Sequence, residues 1–157
     1  MEQPDLCQEL TEGEYNPRFL EFIKLLVSID TSDKLFPKEC RACGKRFRSL
    51  SEYLCTTLPK AHTFEDCREV MRKPFTMVYR HCTCGNTLVL SLNEEILSGL
   101  NEFWTMLERE AAETGRPLLT VVTEFADECE RYMDARLDVL GFERPLCRSE
   151  DAAPGSR

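Results

Sequence analysis

The chain has 157 residues, 42% hydrophobic and 31% charged, with 28 Asp/Glu against 20 Lys/Arg for a formal net charge of −8. That length suits one domain, or a small metal module fused to a helical one, with enough apolar residues for a modest core. No apolar run is long enough to span a bilayer, and the start lacks a charged n-region and apolar h-region, which implies a cytoplasmic chain with reduced thiols.

Charge is unevenly placed. Residues 34–80 carry eleven Lys/Arg against five Asp/Glu, whereas residues 1–33 carry two against eight and residues 81–157 seven against fifteen. A basic segment therefore lies between acidic flanks. Residues 1–15 are acidic and aperiodic and residues 148–157 end in Ala-Ala-Pro-Gly-Ser-Arg, so both read as mobile tails.

The first helix is expected within 16–33, with Asn16 as N-cap and Pro17 at the first helical position. Phe19, Leu20, Phe22, Ile23, Leu26 and Val27 cover much of its circumference, which requires burial on more than one side. Asp30, Thr31 and Ser32 end it by bonding the local backbone. Residues 34–92 read as a metal module. A short strand is expected from Leu35 to Glu39, and a short helix from Ser49 to Thr57 with Ser49 as cap and Leu50, Tyr53 and Leu54 on one face. Residues 58–74 carry the weakest signals. Phe75 to Arg80 and Thr87 to Leu92 are β-branched and aromatic, and predict an antiparallel hairpin with Cys82 to Asn86 at its tip.

Residues 93–147 read as a helical hairpin. Ser91 and Glu94 form a Ser-x-x-Glu capping pattern, and Ile96, Leu97, Leu100, Phe103, Trp104, Leu107 and Ala111 follow helical spacing to Thr114. Gly115 stops that helix and Pro117 starts the next. Leu118, Val121, Val122, Phe125, Ala126, Cys129, Tyr132, Met133, Leu137 and Leu140 line the second helix before Gly141 ends it. A connection as short as Gly115-Arg116-Pro117 makes the helices antiparallel. Their apolar stripes are too broad for an isolated pair, which predicts a homodimer through residues 92–140, with cover by the first helix as the competing account.

Nine cysteines are many for a reducing compartment, and four of them form two tight pairs, Cys40-x-x-Cys43-Gly44 and Cys82-x-Cys84-Gly85. Two turns of this kind present four thiolates to one tetrahedral metal, and each glycine supplies the backbone freedom that lets N–H groups turn toward the sulfurs. Cys40, Cys43, Cys82 and Cys84 are therefore the candidate ligands of one structural Zn2+ per chain, with Phe47 as apolar cover. Cys7, Cys55, Cys67, Cys129 and Cys147 are isolated, which argues against a second cluster. His81 precedes Cys82, but strand alternation points neighbours oppositely and places it beside the ligands or on the surface. His62 reads as exposed and Cys129 as core.

The run Cys40-Arg41-Ala42-Cys43-Gly44-Lys45-Arg46-Phe47 resembles the first knuckle of rubredoxin-like zinc ribbons, and His81-Cys82-Thr83-Cys84-Gly85-Asn86 resembles the shortened second knuckle of some ribbons. The resemblance covers residues 35–92, and the ribbon followed by helices is loosely similar to small uncharacterised bacterial zinc-ribbon proteins. It implies the same four cysteines as ligands and leaves the helices unexplained; with the helices read from their own patterns, the expected fold is α+β, a zinc ribbon with an N-terminal helix and a C-terminal antiparallel helical hairpin. The chain departs from rubredoxin in having Cys-x-Cys at the second knuckle, which weighs against an iron electron carrier.

Four thiolates fill a tetrahedral coordination sphere, so no position is left for a water nucleophile. The chain also lacks a phosphate-cradling glycine loop, a Gly-x-Ser-x-Gly elbow and a His-Glu-x-x-His helix. The expectation is a non-catalytic regulatory or protein-interaction module with an unidentified protein partner and no membrane association. The alternative is redox: a thiol sensor using Cys55 and Cys67, or a rubredoxin-like electron carrier. A third reading is nucleic-acid binding through the basic ribbon face, opposed by the acidic flanks and by Phe47 being the lone aromatic among Lys45, Arg46 and Arg48.

Overall fold

A computed structural model of the chain describes residues 15–59 and 63–139. The expectations for the two tails, Cys7, Cys147, His62, the burial of Leu137 and Leu140, and the stop at Gly141 lie outside the described residues. What is described is an α+β fold of five helices and two small antiparallel sheets.

Helix α1 runs Pro17–Ser28, and the Asn16 side chain accepts the Arg18 N–H at 3.0 Å as its cap. Strands β1 (Lys38–Glu39) and β2 (Arg46–Phe47) form the smaller sheet, pairing Lys38 with Phe47 and Glu39 with Arg46. The strand expected from Leu35 is thus only its last two residues, because the N–H groups of Leu35 and Phe36 donate to Ser32 O at 3.2 and 2.9 Å in a turn. Helix α2 (Leu50–Cys55) is capped by Ser49, whose hydroxyl accepts the Glu52 N–H at 3.0 Å.

The weakly signalled stretch holds two further elements, strand β3 (Phe64–Asp66) and the one-turn helix α3 (Arg68–Met71). Strands β4 (Phe75–His81) and β5 (Thr87–Asn93) form the expected hairpin, and β3 joins it to give the order β3-β4-β5. Along both long strands burial alternates strictly, so Val78, Leu88, Leu90 and Leu92 face the core.

Helix α4 runs Leu100–Thr114 and α5 Leu118–Val139, with Gly115 closing α4 at φ 68°. The capping pattern at Ser91 is not used. Ser91 lies inside β5, opposite Met77, and the strand continues to Asn93. The Asn93 side chain then accepts the N–H groups of Glu95 and Ile96 at 3.0 and 3.1 Å in a turn, and Glu94 reaches forward to the N–H groups of Gly99 and Leu100, both at 3.3 Å. Glu94 serves the start of α4 from outside the helix. Ile96 and Leu97 pack against the core from the turn.

One core takes residues from every described helix except α3 and every described strand except β1. Its centre is aromatic: Phe103 meets Phe125 at 4.9 Å between centroids, and Phe64 meets them at 5.9 and 5.5 Å. From α1, Phe19 stacks edge-on to Phe125 at 5.5 Å and Phe22 tilts against Phe103 at 5.7 Å. The fully buried Phe19 and Ile23 show that α1 covers the helical hairpin within the chain. Most of the described apolar residues from which association through residues 92–140 was argued, Leu100, Phe103, Trp104, Leu107, Val121, Phe125 and Met133 among them, are buried within the chain, while Leu118 is exposed. Trp104 is core, and its indole N–H donates to Thr76 Oγ1 at 2.8 Å.

Two polar residues, the buried Arg80 and the half-buried Asp30, tie the sheet and α2 to the helices. Arg80, counted above within the basic stretch, is 1% exposed and belongs to the interior. It donates to the carbonyls of Leu54 and Thr57 at 2.7 and 2.9 Å and to Thr57 Oγ1 at 2.8 Å, closing the end of α2, and lies 3.7 Å from the Glu130 carboxylate of α5. Asp30 accepts the Ser51 N–H and hydroxyl at 2.7 and 2.8 Å, which anchors the start of α2 beyond the end of α1.

Candidate metal centre

The two cysteine pairs are separated by about forty residues in sequence and are brought together by two hairpins. Cys40 follows β1 and Cys43 lies in the turn before β2, while Cys82 and Cys84 occupy the turn between β4 and β5. Each turn closes on itself through the backbone. The Cys40 N–H donates to Lys45 O and the Gly44 N–H to Cys40 O, both at 2.8 Å; Cys82 N–H donates to Asn86 O and Gly85 N–H to Cys82 O, also at 2.8 Å. Gly44 at φ 80° and Gly85 at φ 98° occupy the left-handed region that a side chain disfavours, which is why glycine follows each pair.

All four sulfurs lie within 4.8 Å of one another. Cys40 Sγ is 3.7 Å from Cys84 Sγ, and Cys43 Sγ is 3.6 Å from Cys82 Sγ. A tetrahedron with metal–sulfur bonds of about 2.3 Å has edges of about 3.8 Å, so the thiols stand close to the positions of four ligands around one ion. The group is able to hold a metal ion. The sequence-assigned residues Cys40, Cys43, Cys82 and Cys84 are those that converge. His81 stays outside the cluster, half-buried on the opposite face of β4, with its Nδ1 3.5 Å from Thr87 Oγ1.

Cys40 and Cys82 are fully buried whereas Cys43 and Cys84 are exposed, so one edge of the cluster faces the core and the other faces solvent. The backbone N–H of Cys43, with further help from Ala42 N–H and the Asn86 side chain, outweighs desolvation and brings the Cys40 thiol down to about 6. Asn86 Nδ2 donates to Cys40 Sγ at 3.5 Å, a role that the sequence did not reveal because asparagine after glycine reads equally well as an ordinary turn residue. At Cys43 the Lys45 N–H lowers the thiol, but its contact with the Cys82 sulfur and burial prevail and raise it.

The inner edge is packed by Phe47, fully buried and edge-on to Tyr53 at 5.6 Å, while Tyr53 donates its hydroxyl to Val78 O at 3.0 Å. This links the first knuckle, α2 and the strand that carries the second. Lys45 lies over the Phe47 ring at 5.3 Å and donates to Thr56 O at 3.1 Å. Around the outer edge Arg41, Arg46 and Arg48 are exposed, and Lys38 is half-buried with its ammonium pushed down by burial and by Arg41.

The remaining described cysteines are placed in the core. Cys55 is fully buried in α2, and burial pushes the Cys129 thiol up to about 12. Cys67 is 8% exposed, its thiol is pushed up by burial and by Glu65, and its Sγ lies 3.7 Å from Glu65 O. A sensor requires a lowered, accessible thiol, whereas Cys67 and Cys129 have raised thiols and Cys55 is inaccessible. No described helix is long and apolar enough to cross a membrane.

No known family model, curated protein or solved structure matches this chain. The fold and the cluster together define an α+β protein with a four-cysteine group able to hold a metal ion. Its functional reading therefore comes from the site.

Proposed function

We propose that this chain is a non-catalytic binding module built around one structural zinc, held by Cys40, Cys43, Cys82 and Cys84 in a zinc-ribbon arrangement of two hairpins. The observation that supports this reading is the pair of sulfur separations, 3.6 and 3.7 Å, at the edge length of a tetrahedral thiolate site. Four sulfur donors suit zinc or iron, and zinc adds a fixed geometry without redox chemistry. When bound, the ion supplies a crosslink between the β1–β2 and β4–β5 turns and lowers all four thiols to thiolates.

The contact surface in this reading is the solvent side of the ribbon, where Arg41, Arg46 and Arg48 are exposed, and the partner is an acidic protein surface. Phe47, the aromatic among these cations, is fully buried beneath Lys45 and is not available to stack on a base, which disfavours the nucleic-acid reading.

Metal analysis of protein purified without added metal tests the centre. One zinc per chain is expected, with Cys40→Ser losing the metal and the ribbon's ordered signals while much of the helical circular dichroism remains. Iron with a reversible visible chromophore would replace this reading with electron transfer, and metal-free protein with an intact ribbon would remove the centre altogether.

A further inference from the structure

Strand β5 ends the larger sheet, and the hydrogen bonding of β4 shows which of its peptide groups are open. The Phe75 carbonyl accepts the Cys67 N–H at 3.0 Å, the Tyr79 N–H donates to Thr63 O at 2.7 Å, and His81 exchanges bonds with Leu58 at 2.7 and 2.9 Å. These β4 residues therefore turn their peptide groups away from β5. Alternation turns Thr76, Val78 and Arg80 toward it, opposite Leu92, Leu90 and Leu88, and the Cys82 N–H to Asn86 O bond continues the same ladder. In β5 the peptide groups of Thr87, Val89 and Ser91 consequently point off the sheet. No backbone hydrogen bond from another described residue reaches them, and all three residues are exposed.

We propose that this edge joins two copies of the chain, β5 against β5 in antiparallel register about a two-fold axis at Val89, to make a continuous sheet ordered β3-β4-β5-β5-β4-β3. The strand Thr87–Asn93 is uncharged in a chain that is 31% charged, and it lacks the Lys, Pro or bulge with which exposed edges are commonly blocked. From Thr87 to Ser91 its polarity is symmetric about Val89. The register places Val89 on its own copy, Thr87 on Ser91, and on the inner face Leu88 on Leu90, so apolar meets apolar and hydroxyl meets hydroxyl without a like-charge pair.

Tyr79 already lies beside Val89 across β4 and β5, so pairing extends an outward row of Tyr79, Val89, Val89 and Tyr79 through the axis. A foreign peptide would find backbone groups here but no charge to select its sequence, whereas a second copy matches at each of the five positions from Thr87 to Ser91. Two paired strands bury less than a standard protein interface, so the pairing is expected to be weak and to depend on protein concentration.

Amide exchange by NMR at low and high protein concentration, together with sedimentation, tests this. The amides of Thr87, Val89 and Ser91 should exchange quickly in dilute protein and slow as the mass rises toward two chains, while those of Leu88, Leu90 and Leu92 stay protected throughout. Val89→Lys, and independently Ser91→Lys, should keep the far-ultraviolet spectrum and metal content yet remain monomeric at every concentration. Wild-type protein that sediments as one chain throughout would overturn the proposal. So would a dimer that survives both substitutions, or one that leaves the three outward amides unprotected.

Discussion

Replacing Arg80 with methionine keeps roughly the side-chain length and removes the guanidinium that joins β4, α2 and α5. Arg80 is 1% exposed and Glu130 6% exposed, so the charge left behind on Glu130 has little access to water. Breaking a buried pair by removing one partner costs about 3–5 kcal/mol, and the Leu54 and Thr57 carbonyls that lose their donor are part of that loss. The second half of the argument is the double variant Arg80→Met with Glu130→Leu. Without the carboxylate the buried charge is gone and apolar packing replaces the pair, so about 1–3 kcal/mol should remain for the lost donors to the two carbonyls and to Thr57 Oγ1. Urea unfolding followed by the fluorescence of the buried Trp104, at fixed protein concentration and the same metal content for every variant, measures both. A single variant that loses less than about 1 kcal/mol, or a double variant no more stable than the single, would refute the assignment of Arg80 as a buried tie.

Gly85 has φ 98° and no neighbouring atom within 4 Å of an added Cβ, so Gly85→Ala should cost about 1–2 kcal/mol through backbone strain alone. Chelator competition should show weaker metal retention for this variant, and wild-type retention would mean that the turn does not need the left-handed backbone. Glu128 provides a pH test. Burial raises its carboxyl, opposed by the Asn16 N–H at 2.8 Å and assisted by Glu124 and Glu110, so the folded chain holds this proton more tightly than the unfolded one. Stability from this group is greatest below the unfolded value of about 4.3 and falls as pH rises from there through the raised folded value. Glu128→Gln should flatten that part of the stability profile measured by urea unfolding, and an unchanged slope would reject the assignment.

Several features were legible because their causes are local. Asn16 with Pro17, Ser49 with the Glu52 N–H, and Gly115 at φ 68° each meet a backbone requirement within a few residues. The cysteine pairs with their glycines belong to the same class, since the turn that aims two sulfurs is closed by hydrogen bonds inside five or six residues. The misread capping pattern shows the limit of local evidence. Ser91-x-x-Glu94 has the residues for a helix start, but pairing of Phe75 with Asn93 carries the strand through Ser91, and Gly99 at φ 94° delays the helix to Leu100.

Contacts between distant segments decided the rest. β3 is three residues long and becomes a strand through β4, while its Phe64 reaches Phe103 and Phe125 in the aromatic centre. Arg80 looked like one more cation in a basic stretch, and only the arrival of Glu130 and the end of α2 makes its burial tolerable. The sequence by itself determined which four sulfurs stand at the knuckles. The tertiary structure decided that they meet, because the relative placement of two hairpins depends on Tyr53, Phe47 and Val78 packing across more than twenty residues of chain. It also decided that α1 covers the helical hairpin, since an apolar stripe specifies burial without specifying which surface provides it.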